Sequence, residues 1–141
     1  MKRIYGLLLL TILAACGSGA DKNAKKPLYE VLTQQSTGGA QVRFFEILTE
    51  SREIKMLESD ENLKRKINPG DINTSNFIIL NSGEKPSGGY SISVEKVEET
   101  ANQIIVTVKE NGPAAGEMAT SVMTNPYTIV KINSKKEIII K

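Results

Sequence analysis

From residue 28 onward the apolar residues come in short runs rich in Ile, Val and Tyr, with a turn signal after roughly every ten residues, which is the spacing of strands rather than of long helices. Residues 28–33, 42–48, 77–80, 90–97, 104–108, 127–132 and 137–140 read as strands. Gln35-Ser36-Thr37-Gly38-Gly39 predicts a turn that folds the first two into a hairpin. Glu99-Thr100-Ala101-Asn102 predicts a second hairpin and Asn133-Ser134-Lys135 a last one. Tyr90, Ile92 and Val94 alternate with polar residues, so one face of that strand is expected to be buried. Residues 50–63 break the pattern. Acidic residues lie early and Lys64-Arg65-Lys66 late, as a helix dipole favours. Thr49 or Ser51 would cap that helix, Ile54, Met56 and Leu57 would form its apolar side, and Asn68-Pro69-Gly70-Asp71 would end it. The expected fold is α+β, mostly antiparallel β: a small β-sandwich or barrel-like sheet with one helix over an open side.

The single cysteine has a specific setting. Met1-Lys2-Arg3 is basic, residues 4–13 are apolar and Ala14-Ala15 are small. The apolar run is too short for a bilayer span, which takes ~20 helical residues. Leu13-Ala14-Ala15-Cys16 resembles the bacterial lipobox, in which the thiol is acylated and the chain is cut just before it. Residues 1–15 are therefore expected to be a lipoprotein signal peptide, 16–26 a lipidated flexible tether, and 27–141 a single β-rich domain. One acyl chain anchors only marginally at ~0.8 kcal/mol per methylene, so the two or three chains of such lipoproteins imply stable anchoring. With Cys16 lipidated no disulfide can form, and the domain must be held by apolar burial. The expected location is the bacterial cell envelope, on the outer membrane or a periplasmic face rather than the cell exterior.

Charge and residue types narrow the function. The chain has 18 Lys+Arg against 16 Asp+Glu, and loss of Lys2 and Arg3 with the signal would leave 16 of each. A neutral chain without aromatics interleaved among basic residues does not suit nucleic acid. There is no histidine, which removes the commonest general base and the triads built on it. No glycine-rich loop carries the Lys-Ser/Thr of a phosphate cradle. Carboxylates cluster at Glu58, Asp60 and Glu61 and at Glu95, Glu98 and Glu99, and Ser82 or Ser87 lies near Lys85. The first pattern matches a solvated surface and the second lacks the Ser-x-x-Lys of a dyad. Asp60, Glu61 and Asp71 lack the spacing of a calcium loop. No metal and no cofactor is expected, and the chain reads as a binding module rather than an enzyme.

Two loops stand out. Gly83-Glu84-Lys85-Pro86-Ser87-Gly88-Gly89-Tyr90 joins a buried-type strand to one that opens with a tyrosine. Gly112-Pro113-Ala114-Ala115-Gly116-Glu117 leaves a strand, and Asn125-Pro126-Tyr127 enters another. Glycine permits close approach and positive φ, and proline fixes its own φ. A rigid loop presenting backbone and an aromatic suits protein recognition. The simpler reading is a turn with a core tyrosine. If the loops share one end of the sandwich, Gly83, Lys85, Pro86, Ser87, Gly88, Gly89, Tyr90, Pro113, Gly116, Pro126 and Tyr127 form one candidate protein-binding patch.

Residues 83–92, 113–118 and 124–132 together resemble the PrcB C-terminal domain family, most closely over 77–132. Ser87 stands where threonine is usual, and Asp71-Ile72 where Asp-Phe is common. The family is named for a lipoprotein subunit of a spirochaete surface protease complex. The resemblance implies a non-catalytic, envelope-anchored partner of another exported protein, one that stabilises or assembles a protease. A protease inhibitor of β-sandwich type is the alternative, since such inhibitors also present Gly-Tyr and Pro-aromatic loops at one end. A carboxylate hydrolase is a third reading and needs two carboxyl groups facing across a cleft at ~5–10 Å.

Overall fold

The computed structural model describes residues 26–141; the expected signal peptide, Cys16 and all of the tether but Lys26 lie outside the described residues. The strands are β1 (Tyr29–Gln35), β2 (Phe44–Leu48), β3 (Asn76–Asn81), β4 (Ser91–Glu99), β5 (Gln103–Asn111), β6 (Tyr127–Ile132) and β7 (Glu137–Ile140). The helices are α1 (Ser51–Leu57) and α2 (Asp71–Thr74), with a 3-10 turn at Glu61–Leu63 between them. One sheet has the order β1-β6-β3-β2 and the other β4-β5-β7. The fold is thus α+β, with two packed sheets and no closed barrel.

The four-stranded sheet is a middle layer. Every residue of β6 is buried, and every residue of β3 except half-buried Ile79. Alternate side chains point to opposite faces. Phe77, Tyr127 and Ile129 pack with Ile54, Leu57 and Leu63 beneath the helical segment. Ile78, Leu80, Val130 and Ile132 meet Ile92, Ile104, Val106 and Ile138 between the sheets. Strands apolar on both faces take the centre of a sheet, and β1 and β2 are left with its edges.

That placement overturns two expected hairpins. β1 pairs with β6 and β2 with β3, so residues 36–43 cross the end of the sheet instead of folding back. Gly39 makes the crossing possible: its N–H donates to the Asn125 carbonyl at 2.9 Å, and a Cβ there would lie 2.8 Å from that same oxygen. The Asn81 side chain holds the crossing chain, accepting from the Ala40 N–H at 2.9 Å and donating to the Val42 carbonyl at 2.7 Å. The last expected hairpin fails because both sides of β6 are already taken by β1 and β3. Residues 133–136 carry the chain to the other sheet, where β7 pairs parallel with β5. The β4–β5 hairpin forms as expected. A bulge between Val94 and Lys96 then shifts its alternation, so that Val97 as well as Ile92 and Val94 packs inward.

The expected helix over 50–63 is shorter. Glu53 reaches back to the N–H groups of Thr49 and Glu50 at 3.1 Å each and starts α1. The Ser59 hydroxyl takes the Met56 carbonyl and the Asp60 carboxylate takes the Asn62 N–H, which ends α1 and starts the 3-10 turn. Met56, expected on the apolar side, is exposed, while Ile54 and Leu57 are buried. Asn68-Pro69-Gly70 leads into α2 rather than ending helical structure, because the Asp71 carboxylate accepts the Asn68 N–H at 2.8 Å.

One ion pair sits inside the helical layer. Lys131 Nζ lies 3.0 Å from Asp71 Oδ1, with side chains only 7% and 5% exposed. Lys135 ties the same region together by donating to the carbonyls of Thr49, Ile72 and Ser75. Removing one member of a buried pair strands the other charge at a cost of ~3–5 kcal/mol. Lys131→Met should therefore lower the unfolding free energy in urea by about that amount. Lys131→Met combined with Asp71→Asn should recover part of the loss, since no charge is then left unpaired.

Candidate functional site

The loops at residues 36–43, 82–90 and 112–126 all gather at one end of the sandwich, where β3 and β5 finish and β2, β4 and β6 begin. The two loops singled out from the sequence are joined directly. Lys85 and Thr124 form an antiparallel bridge, with N–H···O distances of 2.7 and 3.0 Å. The Gly88 N–H donates to the Thr120 carbonyl at 3.0 Å, and the Thr124 hydroxyl to the Ser87 carbonyl at 2.8 Å. Gly89 has φ +86°, and a Cβ there would meet Pro113 Cγ at 2.9 Å. Gly83, at φ +81°, is buried against Arg43. The glycines let two loops touch backbone to backbone where any side chain would hold them apart.

Tyr90 is half-buried. Gly112 lies against its ring, where an added Cβ would be 3.0 Å from Cε1. Lys85 Nζ stands 5.7 Å from the ring centroid, a cation–π distance worth ~0.5–1 kcal/mol at an exposed site. Pro86 is exposed, Pro113 half-buried, and Gly116 sits at φ +81° in an open turn whose Glu117 accepts the Ala114 N–H. The loop beyond it presents Met118 (99% exposed), Val122 and Met123 to solvent.

Residues 76–133 match the family described as PrcB C-terminal, a span that runs from β3 through β6 and takes in both loops. Over this span the chain is similar to the PrcB C-terminal family. A protein of Methanocaldococcus jannaschii, described as uncharacterized, is 39% identical to the chain over 57 residues, which are 40% of this chain and 34% of that relative. The chain thus spans about a third of the relative's length. No solved structure matches it.

Two expected patch residues are buried and do not contribute to its surface. Pro126 is buried, and its carbonyl accepts the Ser82 N–H. Tyr127 is buried and points into the helical layer, the opposite way from Tyr90. It accepts from the Asn62 amide at 3.1 Å and donates to the Asp60 carboxylate at 3.2 Å. Tyr127 is a core residue because position 127 starts a strand whose odd positions face the helices. Met118, Val122 and Met123 are not among the patch residues the sequence predicts. The usable signal was large apolar residues in a stretch with no strand or helix period.

Several other residues considered for chemistry are committed to neighbours. Ser82 donates to Glu110 at 3.1 Å and Ser87 to the Gly88 carbonyl. Glu61 pairs with Lys64, Glu98 with Lys96, and Glu99 with Lys136. Among the described residues no three His, Cys, Asp or Glu side chains converge as a metal-binding set, and no helix is long and apolar enough to cross a membrane. The arrangement presents an ammonium, an aromatic ring and apolar tips on a hydrogen-bonded frame.

Glu110 braces this end. Arg43 holds it through two hydrogen bonds at 3.2 and 3.0 Å, and that contact, with Ser82 adding to it, keeps the carboxyl below its usual range. A depressed folded-state value adds stability above the unfolded value of ~4.3 and loses it as pH falls through the folded one. Both side chains are partly exposed, so Glu110→Gln should cost under ~1 kcal/mol at neutral pH and flatten the acid limb of a pH–stability curve. Tyr127 behaves in the opposite sense. Burial raises its phenol above the ordinary range. Its contribution is intact below ~10 and is lost as pH rises through the folded value. Tyr127→Phe should cost ~0.5–1.5 kcal/mol near neutrality and remove part of the alkaline loss, both read by chemical unfolding.

Proposed function

We propose that the chain is an exported bacterial lipoprotein, anchored by lipid on Cys16, whose domain is a non-catalytic protein-binding module that stabilises or assembles an exported protease complex. Leu13-Ala14-Ala15-Cys16 supports the anchor, and the match to the PrcB C-terminal family over 76–133 supports the role. One observation carries the reading of the loop cluster as the binding surface: the chain enters the domain at the other end. Pro27 and Leu28 offer their carbonyls to Asn133, beyond the last residue of β6, while the loops lie before its first. Six strand residues at ~3.3 Å each separate the two ends by roughly 20 Å. An anchor at one end leaves Lys85, Tyr90, Met118, Val122 and Met123 facing away from the lipid.

The anchor is tested by growing cells with an alkyne fatty acid. The wild-type chain should take up the label and Cys16→Ala should not. The surface is tested by photo-crosslinking in intact envelopes. A photoreactive residue at position 118 or 122 should capture one protein, and the same residue at position 136 should not. Substitutions Lys85→Ala and Tyr90→Ala should weaken that capture. Equal capture from both ends would refute the loop assignment. If the captured protease loses activity when saturated with this chain, the role is inhibition and not support.

A further inference from the structure

Among the four sheet edges, β2 is the longest that runs without a bulge. β1 is broken by a bulge between Val31 and Thr33, and Lys66 occupies the Leu32 carbonyl there. β4 has its own bulge and carries Glu95, Lys96, Glu98 and Glu99. β7 is only four residues long. β2 has an unbroken register with β3, no proline or glycine, and no second strand neighbour among the described residues. Every second residue of such an edge turns its N–H and C=O outward, a template for another strand.

The side chains beside this edge are also open. Phe44, Glu46 and Leu48 share the helical face with Ile79 and Phe77, while Phe45 and Ile47 share the other face with Leu80 and Ile78. Val42 is 74% exposed, Phe44 36% and Met56 70%. Between α1 and the sheet lies a cavity of about 230 Å³, lined by Glu46, Leu48, Glu53, Met56, Leu57 and Ile79. Met56 is a flexible, polarisable wall that can follow a guest side chain.

Charge decides what fits. The two charged residues lining the cavity are both carboxylates. Glu53 is engaged by the N–H groups of Thr49 and Glu50, whereas Glu46 makes no ion pair among the described residues. Glu46 is also the central residue of β2. Antiparallel pairing with a second copy would put Glu46 against Glu46 on the two-fold axis, and like charges directly opposed are destabilising. A foreign strand with a basic residue at that point turns the same position into an attraction.

We propose that β2 is a strand-addition site for an extended peptide of a partner protein, with a Lys or Arg opposite Glu46 and apolar residues on both sides of it. Backbone pairing supplies affinity and the alternate side chains supply selectivity. The site rests on β2 and α1 and is independent of the loop cluster.

The test uses the full chain carrying Cys16→Ser and two labelled peptides, Ser-Ile-Val-Lys-Val-Ile-Ser and the same peptide with Glu at its centre. The lysine peptide should bind saturably by fluorescence anisotropy, and the glutamate peptide about tenfold more weakly. Glu46→Lys should reverse that preference, which a merely sticky surface would not do. Amide exchange across Phe44–Leu48 should slow when the lysine peptide is bound. Lys85→Ala and Tyr90→Ala should leave this binding unchanged, so failure here and failure of the loop assignment are separable. No binding of the lysine peptide, equal binding of both, or a concentration-dependent dimer abolished by Glu46→Lys would overturn the proposal.

Discussion

The architecture depends on two strands, β3 and β6, that are apolar on both faces. Neither can lie on a surface, so the chain must supply a cover for each side of the sheet they share. The covers differ in kind: β4, β5 and β7 on one side, and α1, the 3-10 turn and α2 on the other. Lys131 is the one charged residue of β6, and Asp71 meets it from α2. A lysine at an inward position of a central strand is tolerable only with such a partner, so the helical cover answers a specific need of the strand beneath it. Across the other interface the Thr128 hydroxyl donates to the Ile92 carbonyl at 2.6 Å, giving that apolar contact one fixed polar register point.

The strands were readable from the sequence almost residue by residue because runs such as Phe77-Ile78-Ile79-Leu80 and Tyr127–Ile132 have no competing pattern. Their pairing was not. Gln35-Ser36-Thr37-Gly38-Gly39 has the composition of a hairpin turn, but Gly39 serves close passage beneath Asn81 and Asn125, a requirement that exists only once β6 and β3 are in place. The route of the last strand depended on whether β6 had a free side, which local sequence does not contain. The helix is shorter than its charge pattern predicts for a local reason. Charge bias extends from Glu50 to Lys66, while Ser59 and Asp60 divert the backbone within it.

The loop cluster was partly legible. Glycine and proline marked both loops, and the pattern linking them was specific enough to name a family. Tyr127 misled because a strand-opening tyrosine after proline looks the same whether its ring turns out or in. Only the phase of β6, set by Ile129 and Lys131 facing the helices, decides that. Met118, Val122 and Met123 carried a weaker signal, since single exposed apolar residues are ordinary and their meaning depends on what lies beside them.

The span shared with the family, 76–133, contains both central strands and the β4–β5 hairpin, but not β1, β2, β7 or the helical segment. The part of this chain that matches the family is therefore its two central strands with one hairpin of the cover, and what borders them here is drawn from sequence on either side. Evolution can rework such flanks with little penalty to the common interior, provided each replacement still shields Phe77 and Ile129. Relatives with the same interior can in this way differ in the margin they offer to other proteins, and specificity would diverge at the rim of the sheet faster than the fold itself.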